Sequence, residues 1–515
     1  MSLKKNGRLS RREMLQALTL AAGGSSTLGA FLTGCREGAQ SPADRERFGT
    51  DRQALDKPPK FLIVIGASGG ASIIDSFLAI RGGEAGANAG LINTFPDADV
   101  LDVAGSPLRA VKVNAPSLGA IPVAVKTDQS AFVAKHKQDI LVATSIGTSV
   151  NHVIAQKRSL TGNAAFKGRT LQECVAKEYG AAFAIPNVNM GVGGYLERGT
   201  DDDLPAYCYS ESVGSPALWP LGLDSSRGIK GAPDRELIAL AQKVRNEQLD
   251  PESVFAKTFA RSPRLQRWYA SRGSTQSKLE ALDLITKLNV LPDMPPQIPL
   301  NDYGLGTSPD GAKLRAAFPN FFTDPFEGQA ALAFLLLKNR VSVSVTIGPS
   351  FNVVIAGAEL GNPPLAFDFS HNDHRAGQAF MWSKIMNVCD KLIDLLKAEP
   401  YDATSGQSMW DHSLIYVATD FGRTKPRPNN ATQFGTGHDL NNGFLMMSPL
   451  LKGNAILGGV DKATGLSYGF DTETGAPLTG KTTSNEPEIF SGILHTLGVD
   501  TTGSGLPDCK AFRKA

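Results

Sequence analysis

Histidine and cysteine are scarce in this 515-residue chain, with seven of the first and five of the second. The cysteines, at 35, 174, 208, 389 and 509, form no C-x-x-C pair, which excludes a zinc ribbon or a disulfide scaffold. One or two disulfides outside the cytoplasm stay open, and so do buried free thiols. Excess charge of one sign is also missing: 52 Lys and Arg face 50 Asp and Glu, so there is no basic field for a phosphate backbone. Nucleic acid is not an expected partner. Aromatic residues, at 7%, are too few for a base-stacking surface or a membrane barrel. What is plentiful is apolar material, 42% of residues, together with 53 Gly and 31 Pro. That balance suits a loop-rich α/β enzyme of one large or two ordinary domains, and it excludes a disordered chain.

Residues 1–35 read as a targeting segment. Lys4, Lys5 and Arg8 lead into Ser10-Arg11-Arg12-Glu13-Met14-Leu15, a twin-arginine pattern, and a weakly apolar stretch then runs to a lipobox-like Leu32-Thr33-Gly34-Cys35. Its Gly, Ser and Thr residues make it a poor membrane span. The expectation is export by the twin-arginine route, cleavage before Cys35 and lipid on that thiol. The protein would then face the periplasm or cell surface and touch the membrane through its lipid alone. Residues 36–58 are polar and charged and read as a linker. Without the leader's five basic residues and one Glu, the net charge moves from +2 to about −2.

The body, 59–515, carries four short apolar runs: Phe61 to Ile65, Ile140 to Ala143, Val341 to Ile347 and Leu414 to Ala418. Such runs are apolar on both faces, as buried parallel strands are. Helical patterns lie between and after them, notably Phe380 to Leu396 and Pro487 to Leu497. This alternation predicts an α/β fold with a doubly wound, mostly parallel sheet, whose ligands gather beyond the carboxyl ends of the strands. Residues 164–330 break the alternation and read as a mainly helical insertion. Within it, Asp201-Asp202-Asp203 lacks the spaced ligands and Gly of a calcium loop and reads as a solvated turn.

Metal-capable residues follow the predicted strands. Gly66-Ala67-Ser68-Gly69-Gly70 and Asp75 follow the first; Thr148, Ser149, Asn151 and His152 follow the second; Asp420-Phe421-Gly422-Arg423-Thr424 and Gly437-His438-Asp439 follow the last. Asp368, His371 and His374 lie between the final two runs. Four of the seven histidines therefore sit in these segments, in a His/Asp mixture that suits zinc or a similar divalent ion. His136, flanked by lysines, reads as solvated, and His412 and His495 as structural. The Gly66 to Gly70 turn does not fit the dinucleotide fingerprint.

Gly69-Gly70 with Asp75, Asn151-His152 before Leu160-Thr161-Gly162, Asp368 with His371, Asp420-Phe421-Gly422-Arg423-Thr424, Gly437-His438-Asp439 and Leu457-Gly458-Gly459 together resemble the domain-of-unknown-function 1501 family, across most of 60–505. That family is similar to the alkaline phosphatase and sulfatase superfamily and often carries twin-arginine leaders. The resemblance implies an alkaline phosphatase-like domain in which one or two divalent metals clamp a phosphate or sulfate ester. Asp368, His371 and His438 would form one metal site. Asp75 and Asp420 would contribute to a second, which is short of a ligand because Phe421 stands where the superfamily often has His; His374 or His152 would have to complete it. Zinc is the first choice of ion, with calcium, magnesium and manganese as alternatives.

A formylglycine sulfatase is not expected, because His152 occupies the position of the catalytic Cys or Ser. Thr148 or Ser149 would attack, or would merely cap the following helix; His152 would be a ligand or itself the nucleophile. Arg423 would hold a substrate oxyanion or pair with an acid at the sheet edge. The resulting expectation is an exported metal-dependent hydrolase of small-molecule or glycan esters. Its alternative is a non-catalytic envelope lipoprotein of the same fold that binds a glycan or a protein.

Overall fold

The computed structural model describes residues 57–112, 127–147, 149–162, 166–190, 198–223, 235–263, 265–266, 269, 284–303, 305–349, 354–355, 358–359, 366–481 and 485–514. The leader with Cys35, nearly all of the linker, and Thr148 lie outside them. Among the described residues, no helix is long and apolar enough to cross a membrane.

The four apolar runs form strands β1 (Phe61–Gly66), β2 (Ile140–Ile146), β5 (Ser344–Ile347) and β6 (Ser413–Ala418), in which all residues but Ile146 are buried. Each large aliphatic buried this way stabilises the fold by about 1.5–3 kcal/mol relative to exposure. Four more strands, β3 (Asn187–Asn189), β4 (Glu211–Ser212), β7 (Asn441–Met447) and β8 (Ala455–Leu457), complete a sheet of order β8-β2-β7-β6-β1-β5-β3-β4. Every pairing is parallel except the two made by β7. The protein is thus α/β, with a mixed, mostly parallel eight-stranded sheet.

The reversed strand determines where the site residues meet. The carboxyl ends of β1, β2, β5 and β6 share one rim, and because β7 runs the other way, its amino end shares it too. Asn441-Asn442-Gly443 does not read as the start of a strand, yet Gly443 is needed there. A Cβ at that position would come within 2.4 Å of the Ala143 carbonyl oxygen on β2.

Helix boundaries follow local chemistry. Helix α1 covers Gln129–His136, and α2 covers His152–Thr161, capped by the Asn151 side chain accepting from the Ile154 amide and ended by Gly162 at φ 70°. Helix α3 (Leu171–Tyr179) opens with a Thr170/Glu173 capping box. The long α5 (His374–Ala398) starts where Asp373 accepts from the Ala376 amide. The last helix, α6 (Glu486–Thr496), carries Pro487 in its first turn.

The chain divides into two compact units, and the sheet belongs to Leu55–Ser212 with Arg340–Ala515. Residues 171–212, from the stretch read as an insertion, therefore supply α3, β3 and β4 to the sheet unit. In that unit, the Asp201 carboxylate pairs with Arg169 and accepts from the Asp203 amide at 3.0 Å, a turn held by ordinary contacts. The other unit takes in Val213–Asn339. Its helix α4 (Pro325–Lys338) is buried from Phe326 to Leu337, with Lys338 paired to Asp310 at 2.7 Å and Glu327 accepting from the Asn320 amide at 2.6 Å.

Candidate metal centre

Asp420 follows β6 directly and its side chain is fully buried. Oδ1 accepts from the Gly70 amide at 2.7 Å and the Phe421 amide at 3.2 Å, the Gly69 amide lies 3.1 Å from both oxygens, and Oδ2 accepts from Gln156 Nε2 at 3.4 Å and His152 Nδ1 at 2.9 Å. The turn after β1 can approach so closely only through glycine. Gly69 and Gly70 have φ of 95° and 81°, and added Cβ atoms would meet the Asp368 amide and Arg423 Nε, each at 2.5 Å. With its lone pairs taken by N–H donors, Asp420 orients His152 and has little left to ligate a metal.

His152 is the first residue of α2, so its ring reaches over the sheet rim. Nδ1 donates to Asp420, and Nε2 faces Asp368 Oδ1 at 3.4 Å. His371 Nε2 lies 3.2 Å from the same Asp368 oxygen. His438 Nε2 lies 3.9 Å from it and 2.9 Å from His371 Nε2. His152, Asp368, His371 and His438 thus offer four donor atoms within 4.8 Å of one another, a group that can hold a metal ion. Tetrahedral zinc with bonds near 2.1 Å sets its ligands about 3.4 Å apart, inside the spread seen here.

His438 donates Nδ1–H to the Val150 carbonyl at 2.9 Å, which leaves Nε2 as an acceptor. His371 Nε2 accepts from Arg423 Nη1 at 3.3 Å. Two acceptor nitrogens held 2.9 Å apart repel each other unless positive charge lies between them. Burial lowers the pKa of both rings, and the Arg423 charge adds to the effect, so both are neutral at neutral pH.

His152 behaves oppositely. Burial disfavours its charge, but bonds to Asp368 and Asp420 prevail and raise its pKa to about 9. Asp368 is lowered to about 2, as His152 and Arg423 outweigh its burial. In the metal-free protein an imidazolium therefore bridges two carboxylates, and a proton stands where a cation fits.

Arg423, expected to clasp a substrate oxyanion, has a fully buried guanidinium. Nη2 donates to the Gly69 and Phe367 carbonyls and to Asp368 Oδ1, the last at 3.1 Å, and Nη1 donates to the Thr436 carbonyl at 3.2 Å. It clamps the loops that carry the ligands. Phe421 forms the floor: its ring stacks on His438 with centroids 4.0 Å apart and tilts against His152 at 4.6 Å. Ser149 Oγ accepts from the Asn151 amide at 3.1 Å, a turn ahead of the helix that Asn151 caps.

Asp75 and His374 do not join this group. They pair with each other, Oδ2 to Nε2 at 3.0 Å, and both side chains are almost wholly buried. Of the ten residues named from sequence, Asp368, His371, His438 and His152 share donor atoms at one point, with Asp420 and Arg423 bonded to them. Ser149 closes the turn before α2 and leaves the cap to Asn151, Asp75 and His374 stand apart, and Thr148 is outside the described residues. His136 is buried rather than solvated, because it falls on the inner face of α1 with Phe132 and Val133.

Sequence reasoning passed over Gln156, which supports Asp420 and lies one helical turn beyond His152, a spacing that was legible. Asn442, which sequence reasoning set to bond a substrate or orient a ligand His, instead donates Nδ2 to the carbonyls of Ala71 and Phe421 and accepts at Oδ1 from the Ile73 amide. No family model matches the chain, and no curated protein does.

Proposed function

We propose that this protein is an exported, metal-dependent hydrolase of phosphate or sulfate esters, an alkaline phosphatase-like relative of the domain-of-unknown-function 1501 family, anchored by lipid on Cys35. One observation carries the reading: three imidazole Nε2 atoms and one carboxylate oxygen, from three separate segments, converge at the sheet rim. Three nitrogens favour zinc over calcium or magnesium, which prefer oxygen. Bound metal supplies Lewis acidity toward an ester oxygen and a more acidic water.

The chain's own residues do the remainder. Asp420 and the Val150 carbonyl fix the ring planes of His152 and His438, Arg423 holds Asp368, and Phe421 excludes water from below. His371, whose side chain is 42% exposed, marks the side open to substrate. Ser149 Oγ is engaged by the Asn151 amide, and in this reading the attacking oxygen comes from water.

Metal analysis after gentle purification, with a panel of aryl phosphates and sulfates, tests this. Bound zinc and turnover that vanishes in His438→Ala are expected; no metal and no chelator effect would overturn it. The binding-protein reading draws on one fact, that four protein donors can close a tetrahedral shell and leave no open position. Bound zinc without turnover on any ester would favour it.

A further inference from the structure

Beneath the metal centre lies a second polar system that the proposed chemistry does not use. Ser72 Oγ donates to Asp75 Oδ2 at 2.5 Å, Asn93 Nδ2 donates to Asp75 Oδ1 at 2.6 Å, and His374 Nε2 donates to Asp75 Oδ2 at 3.0 Å. On the other side of the ring, His374 Nδ1 faces Thr436 Oγ1 at 3.1 Å. Ser72, Asp75, Asn93, His374 and Thr436 are all buried, none more than 6% exposed. Asn93 Oδ1 in turn accepts from Arg375 Nε at 2.9 Å.

The directions of these bonds are fixed. An ionised carboxylate only accepts, so His374 carries its proton on Nε2. Burial keeps His374 neutral, so Nδ1 accepts and the Thr436 hydroxyl donates to it at 3.1 Å, with the Ser370 carbonyl at 3.3 Å as that hydroxyl's second acceptor. This hydroxyl cannot be replaced by a methyl group without leaving a buried nitrogen unpaired. The hydroxyl is enclosed and points away from solvent, so it is not a nucleophile.

Thr436 connects this row to the site. Its carbonyl accepts from Arg423 Nη1, and its amide donates to the Ser370 carbonyl at 2.9 Å, next to ligand His371. One residue on, the Gly437 amide donates to Thr424 Oγ1 at 2.9 Å, and ligand His438 follows. Gly435 packs so closely that a Cβ there would meet the His371 carbonyl oxygen. The segment 435–438 is therefore pinned to both ligand-bearing loops, and the one side chain it sends inward ends on His374.

From this arrangement we infer that Ser72, Asp75, His374 and Thr436 are positioning residues for the metal centre, a buried row that sets the separation of His371 and His438. The inference rests on the metal reading above. It assigns Asp75 and His374 to support, one layer below the ligands.

Cobalt(II) titration of the full-length protein, followed by its visible d–d bands, tests it. Thr436→Val should weaken cobalt binding on the order of tenfold and shift the bands, as loss of a ligand-orienting contact does elsewhere. Thr436→Ser should restore both, a rescue that a loss of packing alone would not give. Should Thr436→Val fail to fold, Ser72→Ala removes the far hydroxyl, with its bonds to the Asp75 carboxylate and amide, and should weaken cobalt binding several-fold. Wild-type affinity and bands in Thr436→Val, or in Ser72→Ala when that variant stands in, would overturn the row while leaving the metal site intact. Wild-type protein that binds no cobalt would overturn both readings.

Discussion

Two groups of His and Asp side chains among the described residues have the spacing to hold a metal, and they differ in what their donor atoms face. At the sheet rim, His152, Asp368, His371 and His438 converge on one point. Where α1 meets α5, His136, Asp390 and Asp394 do likewise, but Lys135 Nζ sits 2.7 Å from each carboxylate and His136 Nε2 lies 2.8 Å from Asp390. The second group already holds an ammonium against both carboxylates and is a half-buried ion-pair network. At the rim, Arg423 reaches Asp368 and His371 but is tied to three carbonyls, and its charge leaves two neutral imidazoles facing each other. Proximity of ligand atoms alone does not make a metal site; two neutral ring nitrogens facing each other, beside a proton on His152 that a metal can displace, do.

The largest expected effect separates the two groups outright. His438→Ala or Asp368→Ala should abolish zinc binding and turnover, whereas Asp394→Asn should leave both intact, as elemental analysis and ester assays would show. Next comes the buried support. Asp75→Ala strips neutral His374 of its acceptor inside the protein and should cost about 1–3 kcal/mol of stability in denaturant unfolding. Asp420→Asn keeps the shape but weakens the acceptor for His152, and zinc affinity should fall about 10–100-fold in chelator competition.

Dependence on pH follows from His152. In the metal-free protein its pKa is about 9 against an ordinary 6.5, burial opposing and the bonds to Asp368 and Asp420 prevailing. A raised basic pKa means that its stabilising contribution is complete below pH 6.5 and is lost as the pH climbs through 9. Zinc must displace that proton, so its affinity should rise by about tenfold per pH unit up to 9 and then level off. A flat profile would place the proton elsewhere. The smallest effect is at the control group: Lys135→Ala should change stability by about 0–1 kcal/mol, since the lysine is 46% exposed.

The rim was legible in the sequence because two-sided apolar runs give parallel strands, and parallel strands align their ends. Asp368, His371, His438 and His152 were all visible by that route. Their division of labour was not. Asp420 reads as a ligand until the Gly69 and Gly70 amides are seen to take its lone pairs, a contact between residues some 350 positions apart. Asp75 follows β1 as a metal ligand might, but Ser72, Asn93 and His374 turn it inward. Strand β7 escaped notice because Asn and Gly open it, and its reversal is what places His438 at the rim. His136 was misread for a related reason: flanking lysines say nothing about which face of a helix its ring occupies.

Isothermal titration of zinc into chelator-stripped protein at two pH values below 9 measures the central point directly. Binding of one zinc per chain, tighter at the higher pH and absent in His438→Ala, is the predicted outcome. No binding at either pH, or binding that survives the loss of His438 but not of Asp390, would contradict it.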